Sequence, residues 1–271
     1  MYPIFFATPW FNVYAYGTMM AIGYMVGTLI ILREVRRDGI EPEPIFDMLL
    51  MQMVVGVFGA RLLYLLEYGG PSAGTIPGFF DFQQGGLTFY GAVISSFFFD
   101  LIFLKFKRIP FWKVMDSVGM GLAVGMIFAR TGCFLNGCCH GIFCPWPWGV
   151  IFPRVSDQPL HPTQLYEASA GFLLYVMLRM AKPRQRSYGQ LFVGFLMGYA
   201  AFRFIIEFWR GDNPIFLFHM TMSQIISLLS LAVCGMAFRF FENHPELRVP
   251  PEVSSEKRGN SPAGSKRKKS R

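Results

Sequence analysis

Apolar residues gather along this chain into seven blocks, at about 13–32, 45–66, 87–104, 114–130, 164–180, 188–208 and 219–240. Short polar, glycine-rich or charged stretches separate them. Each block is close to the roughly 20 residues that a helix needs to cross a bilayer. Arg61 interrupts the second block and Arg130 ends the fourth. The pattern predicts an all-α, polytopic membrane protein with about seven transmembrane helices. One domain over residues 1–245 would be followed by a basic, disordered cytoplasmic tail over 246–271. Residues 1–12 carry no basic residue ahead of an apolar stretch, so the first helix is expected to act as an uncleaved anchor.

Composition agrees. The 271 residues are 53% hydrophobic and 15% charged, against about 25% charged in a soluble protein. The formal charge of +8 suggests nucleic acid until its placement is examined. Three arginines follow the first block (Arg33, Arg36, Arg37), and four cations follow the third (Lys105, Lys107, Arg108, Lys113). Four more surround the end of the fifth (Arg179, Lys182, Arg184, Arg186), and nine lie from Arg239 onward, making twenty of the 25. The positive-inside rule puts these ends, and the C-terminus, in the cytoplasm, with the N-terminus outside. The tail is then drawn to anionic membrane lipid, and no nucleic-acid partner is expected.

Arg61, Arg130, Arg154, Arg203 and Arg210 remain. They fall inside blocks, at their outer ends or in outer loops, where topology does not call for them. A charge at membrane depth marks a functional site by default, and arginine suits bidentate recognition of phosphate. In "FRFIIEFWRGD", Arg203, Glu207 and Arg210 share one helix face. Glu207 could pair both arginines around an anion, or simply lock two helices together. In "GGLTFYGA", glycines flank Tyr90, which also suits an interfacial anchor. "HPTQLYEA" is a good helix start, with Thr163, Gln164 and Glu167 on its first turns and His161 just before it. The pairs Gly23-x-x-x-Gly27 and Gly121-x-x-x-Gly125 suit helix packing. "ARTGCFLNGCCHG" sets Cys133, Cys138, Cys139 and His140 after Arg130, with Cys144 beyond. A disulfide, free thiols and a metal all remain open, although the spacing matches no standard zinc motif. Cys234 reads as a small buried hydrophobe.

Taken in order, "VYAYGTMMAIG", "GARLLYLLEY", "GGLTFYGA", "ARTGCFLNGCCHG", "WGVIFP", "HPTQLYEA" and "FRFIIEFWRGD" resemble the bacterial prolipoprotein diacylglyceryl transferase family. The resemblance implies an inner-membrane enzyme whose active site is toward the outer face. Such an enzyme moves the diacylglyceryl group of phosphatidylglycerol to the lipobox cysteine in a preprolipoprotein signal peptide. The product is a thioether, and glycerol-1-phosphate leaves. Neither a cofactor nor a metal is implied. Arg130 and Arg203 match the family's head-group arginines, and Tyr90 is carried over as a third catalytic candidate. Tyr16, Arg61, Asn136, Gly141, His161, Gln164, Glu207 and Arg210 match its substrate-binding positions. Cys133 stands where asparagine is usual and Cys138 where glutamate is usual, a pair of changes that invites a disulfide. Tyr90 or His140 would orient or accept the thiol proton. The rival readings are a membrane thiol oxidoreductase using the cysteine cluster, without a C-x-x-C pair, and an anionic-metabolite transporter, without an evident inverted repeat.

Overall fold

The computed structural model describes residues 4–7, 12–68, 86–211, 213–217, 219–244 and 247–249. Among these, seven α-helices carry the fold: α1 Ala15–Arg37, α2 Pro42–Tyr68, α3 Phe89–Phe106, α4 Phe111–Asn136, α5 Thr163–Ala181, α6 Gln190–Ile206 and α7 Met222–Asn243. Apart from 247–249, the expected tail lies outside the described residues, as does Gly85. Six of the helices, α6 with the turn that follows it, are long and apolar enough to cross a membrane. The chain is thus a multi-pass, helical membrane protein. Helix α5, of 19 residues, corresponds to the fifth block; its opening turns are polar, with Thr163, Gln164 and Glu167 all buried.

Three short antiparallel hairpins are additions to the all-α expectation: β1 Ile4–Ala7 with β2 Asn12–Tyr14, β3 Val150–Phe152 with β4 Ser156–Leu160, and β5 Ile215–Leu217 with β6 Met220–Thr221. Strands of two to five residues are too short to show a period-two pattern.

The chain divides into two compact units, one of Thr28–Met115 and the other of Met1–Gly27 with Asp116–Arg271. In the first, α2 packs against α3 through backbone-to-backbone approach. A Cβ at Gly91 would run into the Gly59 carbonyl, and one at Gly59 into Ser95. Gln52 donates to the buried carboxylate of Asp100 at 3.0 Å. Arg61 is buried, donates to the Gly86 carbonyl at 3.2 Å and lies over the Tyr64 ring.

In the second unit, the paired glycine motifs pack as their spacing predicts. A Cβ at Gly27 would meet the Gly121 carbonyl at 3.1 Å, and one at Gly23 the Gly125 carbonyl at 3.3 Å. Asp116 caps α6 from α4, accepting from the Gly189 amide at 2.7 Å, the Phe192 amide at 3.0 Å and the Gln185 side chain. Those amides have no acceptor within their own helix, and a carboxylate satisfies them and suits the positive helix end. Helix α7 starts with a capping box between Thr221 and Gln224. The C-terminal turn of α4, the N-terminal turns of α5 and the end of α6 meet through Arg130, Glu167 and Arg203.

Candidate active site

Glu167, one turn into α5, is the hub of a buried ionic cluster. Its carboxylate lies 2.7 Å from Arg130 of α4, 3.2 Å from Arg210 and 3.9 Å from Arg203 of α6. Arg203 also pairs with Glu207 at 2.9 Å, the i,i+4 contact that helix spacing predicts. Glu207 is fixed in turn by Asn213 at 2.6 Å and Thr221 at 2.7 Å. The second nitrogen of Arg203 donates to Ser223 at 3.1 Å. Both carboxylates are almost completely withdrawn from water, whereas Arg130 keeps 22% side-chain exposure. Among the described residues, three guanidinium groups thus gather around two carboxylates. Buried charge of this kind is tolerated only when paired, and clustered guanidinium groups suit an incoming anion. Arg130, the most exposed of the three, is the one best placed to meet it.

The segment after α4 is pinned to the start of α5. Gln164 donates to the Cys138 carbonyl at 2.6 Å and Thr163 to the Cys139 carbonyl at 2.7 Å. Gly141 donates to the His161 carbonyl at 2.8 Å. A Cβ at Gly141 would collide with the Trp209 carbonyl, His161 and Thr163, so only glycine fits there. Cys139 itself has φ 62°, a left-handed conformation uncommon outside glycine. A hydrogen bond from the Cys133 thiol, with Arg210 and Arg130 nearby, holds the Cys139 thiol well below the usual range. Next to this loop, His161 Nδ1 meets the Tyr166 hydroxyl at 3.0 Å, and Tyr166 accepts from Trp148 at 3.0 Å. Burial holds the His161 imidazole below its usual pKa, which favours its neutral form.

The structure brings together most of the residues singled out from sequence. Arg130, Arg203, Glu207 and Arg210 share the ionic cluster. Gln164, Gly141 and His161 build the wall of loop and helix beside it. Tyr16 is exposed at the start of α1, its ring 3.4 Å from where a Gly132 Cβ would stand, two residues past Arg130. Asn136, the last residue of α4, is exposed. Arg61 and Tyr90 belong to the Thr28–Met115 unit, where Tyr90 is exposed with its ring edge-on to Phe89. Arg154 is exposed in the β3–β4 turn. All five cysteines are free thiols in this structure, Cys133 and Cys138 included. Cys234 is buried, as its position in an apolar block predicts.

Sequence reasoning placed Glu167 on the opening turns of its helix but not in the site. The available signal was its charge: an acid inside an apolar block is as misplaced as an arginine there. The supporting Thr221, Ser223 and Asn213 gave no comparable signal, because hydroxyls and amides are common at helix ends.

Fold and site together define a polytopic helical membrane protein with a buried arginine–carboxylate centre suited to an anionic group. The family model for prolipoprotein diacylglyceryl transferase matches residues 3–240, and the chain belongs to that family of transferases. Similar proteins include the phosphatidylglycerol–prolipoprotein diacylglyceryl transferase of Clostridioides difficile (strain 630), 32% identical over 80% of this chain and 86% of that protein. Its counterpart in Clostridium tetani (strain Massachusetts / E88) is 30% identical, covering 86% of this chain and 95% of that protein. That of Bordetella bronchiseptica (strain ATCC BAA-588 / NCTC 13252 / RB50) is 32% identical, covering 86% and 92%. These likenesses favour group transfer over the thiol oxidoreductase and transporter readings.

Proposed function

We propose that this protein transfers the diacylglyceryl group of phosphatidylglycerol to the lipobox cysteine of a prolipoprotein, at the outer face of the bacterial inner membrane. The observation that carries the reading is the ionic cluster of Arg130, Arg203 and Arg210 around Glu167 and Glu207, in which Arg130 is the most exposed arginine. In the reaction the substrate thiolate attacks the glyceryl carbon, and the bond from that carbon to the phosphate oxygen breaks. The sulphur–carbon bond of the thioether forms, and glycerol-1-phosphate leaves with the bonding pair. The donor phosphodiester carries one negative charge and the departing monoester gains a second. Arg130 and Arg203 stabilise that developing charge in a site where water is scarce, and preorganised donors are most effective there. Glu167 holds the guanidinium groups in place before the lipid arrives, so little reorganisation accompanies the reaction.

The thiol proton needs an acceptor. His140 has Nδ1 at 3.3 Å from the Gly141 carbonyl. A carbonyl only accepts, so this contact calls for a proton on Nδ1, and in the neutral tautomer that makes it Nε2 is the acceptor. In our reading His140 takes the proton or passes it to water, and Tyr90 is assigned to orienting the substrate. Tyr16, Arg61, Asn136, His161 and Gln164 are assigned to lipid and signal-peptide binding. A purified assay with phosphatidylglycerol and a lipobox peptide tests the proposal. Thioether product from the wild-type protein and none from Arg130→Ala or Arg203→Ala would support it. Absence of product from folded wild-type protein, or near-normal turnover by either variant, would overturn it.

A further inference from the structure

The reaction assigned above leaves a cluster of sulphur beside the arginines unused. Cys133, Cys138 and Cys139 present their Sγ atoms within 4.8 Å of one another. We infer that these three thiols form a binding site for one thiophilic metal cation, of which zinc(II) is the representative case. Zinc–sulphur bonds of about 2.3 Å in tetrahedral geometry place sulphurs about 3.8 Å apart, so closing the site needs a contraction of about 1 Å or less. The ligand set escapes recognition by spacing because it is made by a helix end. Cys133 sits on the last turn of α4, and the chain reverses at Gly137, which has φ 79°. The reversal brings Cys138 back over that turn, with its sulphur 3.6 Å from the Cys133 carbonyl. The left-handed Cys139 then adds the third thiol. Neither of the loop cysteines is free to swing away, since Gln164 and Thr163 of α5 grip their carbonyls. A non-glycine residue held at positive φ stores strain that surrounding contacts must enforce, and such residues gather at ligand sites.

Charge also fits. Zinc(II) displaces three thiol protons to solvent, and the resulting trithiolate complex carries a single negative charge. Arg130 and Arg210 act electrostatically on Cys139, so this negative complex has cations beside it. Three protein ligands leave the fourth tetrahedral position to water or an external thiol, as in open rather than closed zinc sites.

The full-length protein, purified in detergent with a phosphine reductant and stripped by chelator, should first titrate as five free thiols. Zinc(II) should then bind at one equivalent per chain and raise the unfolding temperature. Cadmium(II) should give a thiolate-to-metal charge-transfer band in the ultraviolet. Cys138→Ser and Cys139→Ser, on the loop and not in the helix core, should each lose the band and the stoichiometric uptake. Cys234→Ser, on the distant α7, should keep both. Uptake well below one equivalent by the five-thiol protein would overturn the inference. So would a band that persists in Cys138→Ser and Cys139→Ser, or one that depends on Cys234. Because metal uptake is read without any lipid substrate, the inference stands or falls separately from the transferase proposal.

Discussion

Glu167 accepts ion pairs from three arginines, while Glu207 is shared among Arg203, Asn213 and Thr221. Removing either charge therefore has different consequences. Glu167→Gln should leave two or three buried guanidinium groups without their common anion. Breaking buried pairs in this way costs about 3–5 kcal/mol, so thermal unfolding in detergent should fall clearly below wild type. An unchanged unfolding temperature would show that the cluster relaxes into water and is not buried in the working protein. The arginines answer a different question. Arg130→Lys and Arg203→Lys keep the charge but lose the planar fork, and each should lower kcat about 100-fold with membrane insertion intact. A loss confined to KM would assign the residue to ground-state binding and not to the leaving group. At this scale the sequence was informative about cations and silent about their anion. Arg130, Arg203 and Arg210 were found because they violate the lysine–arginine topology rule. The same test applied to Asp and Glu would have exposed Glu167, Asp100 and Asp116, which all lie inside apolar blocks and are all buried.

Among the elements, position in the chain and burial separate the legible from the illegible. Helices were visible because each needs a long apolar run, and the facing glycine pairs of α1 and α4 were visible because small residues recur at four-residue spacing. The hairpins were not, because strands of two to five residues are too short to show a period of their own. Neither was the link from Asp116 to the start of α6, because it joins residues more than seventy apart. That link makes its own prediction. Asp116→Ala removes the acceptor from the buried Gly189 amide and the half-buried Phe192 amide and should lower stability by about 1–2 kcal/mol, read as a fall in unfolding temperature. Activity per folded molecule should change little, since Asp116 lies at the far end of α4 from Arg130. Gly141→Ala should behave in the opposite way. The new methyl meets the Trp209 carbonyl, which cannot rotate aside as a side chain would. The loop carrying Cys138 to His140 must then move, and transfer should fall sharply while the protein still inserts in the membrane. Normal turnover in Gly141→Ala would mean that the loop's position does not matter to the chemistry.

For the whole molecule, the proposed placement of the arginine centre on the outer side rests on the distribution of lysine and arginine. Helix α5 offers a direct test, because 19 residues at about 1.5 Å per residue span roughly 28 Å and so separate its ends by about one hydrocarbon core. Gln158 precedes the helix and Arg184 follows it, and both are exposed. Ser187, an alternative near the second end, is buried and accepts a hydrogen bond from Gln185, so it would label poorly on either side. A maleimide too polar to cross membranes, applied to intact cells, should add mass to Gln158→Cys beyond what the parent protein gains. Arg184→Cys should gain it only after the cells are opened. The argument rests on energetics as well as on counting. The end of α5 with Arg179, Lys182 and Arg184 is the cation-rich end, and basic segments resist translocation. The opposite end carries Glu167, whose charge is matched by arginines already within the fold. Labelling of Arg184→Cys in intact cells, with Gln158→Cys silent until lysis, would reverse the orientation and place the arginine centre on the cytoplasmic side, away from a lipobox delivered by export.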